Sequence, residues 1–362
     1  MSRAWPSPSE YNTAVQNPGN CFRDPELQRG QVQTNKLGLP LCASGNFAVV
    51  YQLQSGAKRV AIRCFTRPIT DQQRRYDAIQ GHLKANRLSS FVDFAYLPDG
   101  ILVKGQWHPL VRMEWISGMQ LHRYVEAHLQ NKQALSSLAT QWRNIMEELR
   151  NARMAHGDLQ HGNVLVDGKD KIWLVDYDGM FVPALRGTPP GEVGHPNYQH
   201  PERDPKGYYE ENVDNFAALV IYLSLLAVKA APSLWTSFHN GDNLIFRAED
   251  FKRPGNTPVW TQLKQNPDSE VQKLTAALEQ SCRGQIEDVP YLEIVCQPSG
   301  AALTSLLVET KILCPRCGQV NEKSGIYCQK CAHQLCGSVS CANCKKTIPA
   351  RAQYCPECGQ KV

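Results

Sequence analysis

Eight cysteines near the end of the chain repeat one spacing twice. Cys314-x₂-Cys317-x₁₀-Cys328-x₂-Cys331 is followed, 27 residues on, by Cys341-x₂-Cys344-x₁₀-Cys355-x₂-Cys358. Each C-x₂-C turn offers two thiolates to one metal, and the ten-residue loop returns a second pair. The segment therefore carries two complete tetrahedral ligand sets, and two Zn²⁺ are expected. Four cysteines leave no open position for water, so the metal is structural rather than catalytic. Apolar residues are sparse, among them Ile312, Val320, Ile326, Leu335 and Ile348, too few to fold so short a stretch without metal. Iron–sulfur binding and C-x₂-C redox chemistry are the weaker alternatives, and Cys336 is left over.

The remaining chain, within a protein of 362 residues that is 42% apolar, is long enough to build a large core. A net charge of +5 does not make it a polycation. From Lys311 on there are eight Lys/Arg against Glu322 and Glu357. Two thiolate-bound zincs add about −4, and the remaining charge of about +2 is thin for tracking phosphates. Tyr327 and Tyr354 are the only aromatics there, so no stacking platform for bases is evident. Protein docking is the expected use of the tail, and nucleic acid is disfavoured. The longest apolar run, Phe216 to Val228, is interrupted by Ser224 and ends at Lys229. That suits a buried helix and is too short to cross a bilayer. No charged N-terminal stretch leads into an apolar segment. A cytoplasmic protein without a membrane partner is expected.

Chemistry is concentrated in two segments in the middle of the chain. His156-Gly-Asp-Leu-Gln-His-Gly-Asn-Val-Leu-Val166 sets a carboxylate, Asp158, five residues before an amide, Asn163. Leu174-Val-Asp-Tyr-Asp-Gly179 then puts a second carboxylate, Asp176, ahead of a glycine turn. Phosphoryl transfer needs a base near the attacking hydroxyl and oxygen ligands for Mg²⁺, which Asn and Asp side chains supply.

These segments resemble the H-R-D-x-x-x-x-N loop and the D-F-G turn of protein kinases. Other kinase-like pieces occur in the same order. Ala43-Ser-Gly-Asn-Phe-Ala-Val-Val-Tyr51 resembles the nucleotide-covering loop, with Gly45 the one glycine kept. Val60-Ala-Ile-Arg63 resembles V-A-I-K, and Val111-Arg-Met-Glu-Trp-Ile-Ser-Gly118 the hinge. His200-Pro-Glu202 resembles A-P-E, ahead of Asp214 and a long apolar helix. The resemblance implies an α+β, two-lobed protein-kinase-like fold followed by a small module similar to a double zinc ribbon. Bacterial kinase-like proteins with zinc-ribbon tails are the nearest resemblance. It implies ATP and Mg²⁺ as cofactors, with Asp158 as base, Asn163 and Asp176 as Mg²⁺ ligands, and Arg63 at the phosphates. Ser44, Gly45, Val50, Ala61, Arg63, Met113, Glu114, Ile116 and Leu165 would form the nucleotide site. The implied activity is transfer to a protein partner, at Ser or Thr.

Departures from the pattern keep other readings open. Arg63 replaces the phosphate-pairing Lys, and its planar fork is not equivalent to a point charge. The helix Glu expected as its partner is missing, which leaves Asp77 as the candidate. Gly157 stands where the loop usually has Arg, which argues against activation by loop phosphorylation. Gln160 stands at the position of a frequent Lys. Tyr177-Asp178 replaces Phe-Gly. A pseudokinase scaffold that binds nucleotide or partners is therefore the alternative, and a small-molecule kinase a further one.

Residues 1–35, rich in Pro, Asn and Gln, read as an extended arm or a partly disordered one. The kinase-like domain is expected over 36–285, with a small lobe at about 36–113 and a large lobe at about 117–285. A linker at 286–312 and the double ribbon at 313–362 follow. Residues 48–53 and 59–65 read as strands, 135–155 as an amphipathic helix, and 269–282 as a late helix capped by Ser269.

Overall fold

The computed structural model describes residues 5–45, 47–68 and 71–297. In the C-terminal part it describes 311–313, 320–322, 325–331, 333, 335, 338–341, 343–349, 354–355 and 358–361. The chain divides into two compact units, Met1–Glu293 and Ile294–Val362. The first unit therefore runs past 285 and takes in the N-terminal arm.

That arm is neither extended nor disordered where it is described. It forms three short helices, α1 (Pro8–Ala14), α2 (Pro18–Cys21) and α3 (Pro25–Gln28). Each has proline at its start, where no backbone N–H is needed. Ser7 closes a capping box with Glu10, and the Asp24 carboxylate accepts from Glu26 and Leu27 N–H. The strands that follow are β1 (Gln31–Val32), β2 (Cys42–Ser44), β3 (Ala48–Ser55) and β4 (Lys58–Phe65). Helix α4 (Gln72–Asn86) precedes β5 (Phe94–Val103) and β6 (Gln106–Glu114). The six strands make one antiparallel sheet in the order β1-β3-β4-β6-β5, with β2 also on β3.

Alternation along the strands sorts the two faces of this sheet. Val49, Tyr51 and Leu53 of β3 and Val60, Ile62 and Cys64 of β4 pack against Tyr11, Val15, Phe22 and Leu27 of the arm. Tyr11 Oη donates to the Phe65 carbonyl at 2.7 Å. The arm is thus part of the small-lobe core. Val50, Ala61 and Arg63 fall on the opposite face.

The helical half begins with β7 (Gly118–Gln120), α5 (Leu121–Ala127) and α6 (Lys132–Asn151). A hairpin of β8 (Val164–Asp167) and β9 (Ile172–Leu174) pairs with β7. The short helix α7 (Arg203–Lys206) leads to α8 (Asn215–Ala230). Residues 215–228 of α8 are all buried, as a helix apolar on every side requires. Trp142 of α6, fully buried, donates its Nε1–H to the Ala218 carbonyl at 3.1 Å. Helices α9 (Ser233–Phe238), α10 (Ala248–Lys252), α11 (Pro258–Lys264) and α12 (Ser269–Arg283) complete the unit. The cap of α12 is Asp268, not Ser269 as expected, with its carboxylate on Glu270 and Val271 N–H. Among the described residues no helix is long and apolar enough to cross a membrane.

The second unit contains two antiparallel hairpins. Strand β10 (Lys311–Leu313) pairs with β11 (Val320–Glu322), and β12 (Ser338–Ser340) with β13 (Thr347–Pro349). Lys311 to Ser338 and Val320 to Thr347 are both steps of 27 residues, so the cysteine repeat is also a repeat of structure.

Candidate active site and metal centre

Hairpin β8–β9 sets the geometry of the first unit's site. Val164 pairs with Leu174 at its open end. Asn163, just before β8, and Asp176, just after β9, are therefore brought side by side, and Val175 N–H donates to the Asn163 carbonyl at 3.0 Å. Asp158 is buried. Its Oδ2 accepts from Asn163 Nδ2 at 2.8 Å and Gln160 Nε2 at 3.2 Å, and its Oδ1 from His195 N–H at 2.7 Å. The loop is held from below by Asp214, whose carboxylate accepts from the His156 and Gly157 N–H groups. His156 receives Asp158 N–H on Nδ1 and sends Nε2–H to the Val175 carbonyl at 2.9 Å.

Arg63 reaches this site from the sheet. Nη1 lies 2.8 Å from Asp176 Oδ2, and Nη2 lies 2.5 Å from Asp178 Oδ2. Tyr76 of α4 donates its hydroxyl to Asp178 Oδ1. The Arg63–Asp77 pair is not formed: Asp77 is exposed. The link between α4 and the strand cation runs instead through Tyr76 and Asp178, because the longer Tyr side chain spans what Asp cannot. Burial works against the Arg63 charge, but Asp176 and Asp178 outweigh it and hold its pKa above the usual value. Burial likewise raises the Asp178 carboxyl, against the pull of Arg63.

Two backbone features tighten the site. Asp176 lies at φ +71°, a left-handed conformation that aspartate tolerates better than most residues and that clusters at functional sites. Its Oδ1 is buried with no hydrogen-bond partner among the described residues. Gly157 lies at φ +79°, and a Cβ there would stand 1.9 Å from the Gly179 carbonyl oxygen. Glycine replaces arginine at 157 because the 178–179 turn fills that space.

The expected nucleotide residues are partly gathered. Val50 pairs with Arg63, Arg63 with Val111, and Ala61 with Met113. Val50, Ala61, Arg63 and Met113 therefore share the face turned away from the arm. Ser44 pairs with Val49 and Glu114 with Val60, so these two fall on the other face. Gly45 is exposed at the end of β2, while Ile116 follows β6 and Leu165 lies on β8, both half-buried. Met113 and Glu114 also line a cavity of about 570 Å³ with Lys58, Val60, Phe94 and Trp115. None of the acids bonded to Arg63 lines it.

Sequence reasoning missed Asp178, Tyr76 and Glu192. Glu192 has a buried Oε1 without a partner among the described residues. Burial, with Asp176, Asp158 and Asp178 close by, pushes its carboxyl up to about 9. An acid two residues beyond Asp176 was a legible signal for Asp178. Glu192 had none, because nothing in a loop sequence says which way it folds back.

In the second unit, the Sγ atoms of Cys341, Cys344, Cys355 and Cys358 lie within 4.8 Å of one another. The Cys341–Cys358 and Cys344–Cys355 pairs are 3.7 and 3.6 Å apart. Four thiolates about 2.3 Å from a tetrahedral Zn²⁺ would be about 3.8 Å apart, so the set fits zinc. Cys344 and Asn343 N–H groups bring the Cys341 thiol down to about 6, toward the thiolate a metal needs. Of the other set, Cys328 is buried and Cys331 half-buried, and Cys328 Sγ accepts from Lys330 N–H at 3.4 Å. Cys314, Cys317 and Cys336 lie outside the described residues. One four-cysteine site is therefore evident among the described residues, where two were expected.

Residues 108–184 match the family model of the ABC1 atypical kinase-like domain. That span holds Asp158, Asn163 and Asp176. The chain is kinase-like. Residues 314–359 of this kinase-like chain match the double zinc ribbon. A search of curated proteins finds no match.

Proposed function

We propose that this kinase-like chain is an ATP-dependent protein kinase acting on Ser or Thr, with its zinc-bearing tail docking a protein partner. The observation that carries the reading is Asp176: a residue of strained backbone whose buried Oδ1 has no partner among the described residues, set by β8–β9 beside Asn163, which bonds Asp158. Asn163 donates through Nδ2, which leaves its Oδ1 as a second oxygen donor for Mg²⁺. Magnesium-bound ATP would supply the activated phosphoryl group. Asp158, oriented by Asn163, Gln160 and His195, would take the acceptor hydroxyl proton. Arg63 would steady the phosphates. Thiolates that hold metal suit a reducing compartment such as the cytoplasm.

A second reading, the pseudokinase scaffold, is favoured by one contact set. The Arg63 guanidinium is committed to Asp176 and Asp178, so phosphates must compete with two carboxylates for it. Transfer from γ-labelled ATP, measured on wild type and Asp158→Ala, separates the two. The kinase reading expects the variant to lose about 10²–10⁴-fold in rate while it still binds Mg-ATP. In calorimetry, Asp176→Asn should weaken Mg-ATP more than Asp158→Ala does. Binding without transfer by wild type selects the scaffold. Transfer to a small molecule but to no protein selects the small-molecule kinase.

A further inference from the structure

Arg63 and Arg75 are both buried, but only Arg63 meets opposite charge, from Asp176 and Asp178. Arg75, near the start of α4, is 5% exposed, and its partners are neutral. Nη1 donates to the Pro189 carbonyl at 2.9 Å, and Nη2 to the Tyr209 hydroxyl at 2.8 Å. The Tyr209 ring centroid stands 5.3 Å from its Cζ. Among the described residues Nε has no partner and no carboxylate pairs with the group. Those bonds satisfy donors but leave the charge uncompensated, and a buried charge without a counter-charge is costly.

Arg75 borders a cavity of about 230 Å³ between α4 and residues 185–191. Arg74 lines it too, exposed and without a hydrogen bond or ion pair among the described residues. Arg67 adds a cation beside the lining residue Phe47, 5.8 Å from its ring centroid. Asp71 is the one acid among the described lining residues, and it pairs with neither Arg74 nor Arg75. A Cβ at Gly191, also on the lining, would meet the Asp178 carbonyl oxygen at 2.5 Å and stand 3.3 Å from Nη2 and 3.4 Å from Nε of Arg75. Glycine therefore puts no side chain over that edge of the guanidinium. The Thr188 hydroxyl on the lining is committed to the Leu185 carbonyl at 2.7 Å.

We propose that this cavity binds a diffusible phosphate monoester, with Arg75 as its buried counter-charge and Arg74 as a second donor. A dianion matches two cations, and guanidinium groups present paired N–H donors to its oxygens. Tyr76, the residue after Arg75, donates to Asp178, so the ligand would steady the turn of α4 that reaches the partner of Arg63. The reading does not rest on phosphotransfer.

Phosphorus NMR on the full chain, with inorganic phosphate as probe, tests the site. Wild type should broaden the phosphate line saturably. Arg74→Ala and Arg75→Met should each weaken affinity by about 10-fold or more, the loss expected for a hydrogen bond to a charged group. Arg74 is exposed, so its variant decides the matter even if Arg75→Met fails to fold. Thr188→Val should bind as wild type does. Hydrogen exchange locates the ion: phosphate should slow the Thr188 amide, bonded to the Leu185 carbonyl at 3.1 Å, in wild type but not in Arg74→Ala. A purely structural Arg75, tying α4 to the 185–191 segment, predicts lower stability in Arg75→Met and unchanged phosphate affinity in Arg74→Ala. That result overturns the site, as does an absence of saturable binding by wild type or a loss of binding in Thr188→Val. Binding that leaves the Thr188 amide unchanged overturns it too.

Discussion

Gly157 and Glu192 show how single residues carry the constraints of the site. Gly157→Ala should lose at least the ~1–3 kcal/mol that a non-glycine residue pays for such backbone angles, and more, because its Cβ meets the Gly179 carbonyl. Gly105→Ala is the control: its φ, +77°, is within 2° of that of Gly157, and it has nothing within 4 Å. Urea denaturation of the pair should show the larger loss at 157. Glu192 makes a pH prediction for the metal-free chain. Its carboxyl is raised from 4.5 to about 9 on folding, so between those values the folded chain holds a proton that the unfolded chain has released. Stability from this group is full below pH 4.5 and is lost as pH rises toward 9. Glu192→Gln should flatten that decline in urea midpoints measured from pH 5 to 9. At this scale Asp158, Asn163 and Asp176 were legible, because their chemistry and spacing survive in the sequence. The partner of Arg63 was not: Tyr76 and Asp178 meet only in the folded chain, and the sequence offered an acid at 77 in the wrong place.

Among elements, the arm differed most from expectation. Helices of seven, four and four residues are too short to show a period of 3.6, and isolated pieces of that length do not form in water. The signal present was the pairing of Ser7-Pro8, Asn17-Pro18 and Asp24-Pro25, three cap-and-proline starts in a row. Their stability comes from burial against the sheet. Phe22, 1% exposed in that core, should cost about 3–5 kcal/mol when changed to Ala. Deleting residues 1–28 should expose the back of β3 and β4 and leave the first unit prone to aggregation, measured by light scattering. An arm that merely lay on the surface would be removed without effect. Strands β3 and β4 and helices α6 and α8 were readable because each has enough residues to display its period or its unbroken apolar run.

For the molecule as a whole, metal and core divide the work of folding between two units. The first has its own apolar interior, while a tail this poor in apolar residues is expected to depend on thiolate–metal bonds. A chelator should make the tail protease-sensitive and leave the first unit's melting temperature within about 2 °C. Elemental analysis should find two zinc ions per chain, and one in Cys341→Ser. The site of the first unit has a consequence for synthesis. Arg63 and Asp176 are 113 residues apart, so closing their contact must wait for most of the unit. A ribosome adding roughly 5–20 residues each second releases the six-stranded sheet several seconds before the acids that meet its cation. During that interval Arg63 has no counter-charge from Asp176 or Asp178, and the nascent small lobe presents a bare cationic face to other anions in the cell.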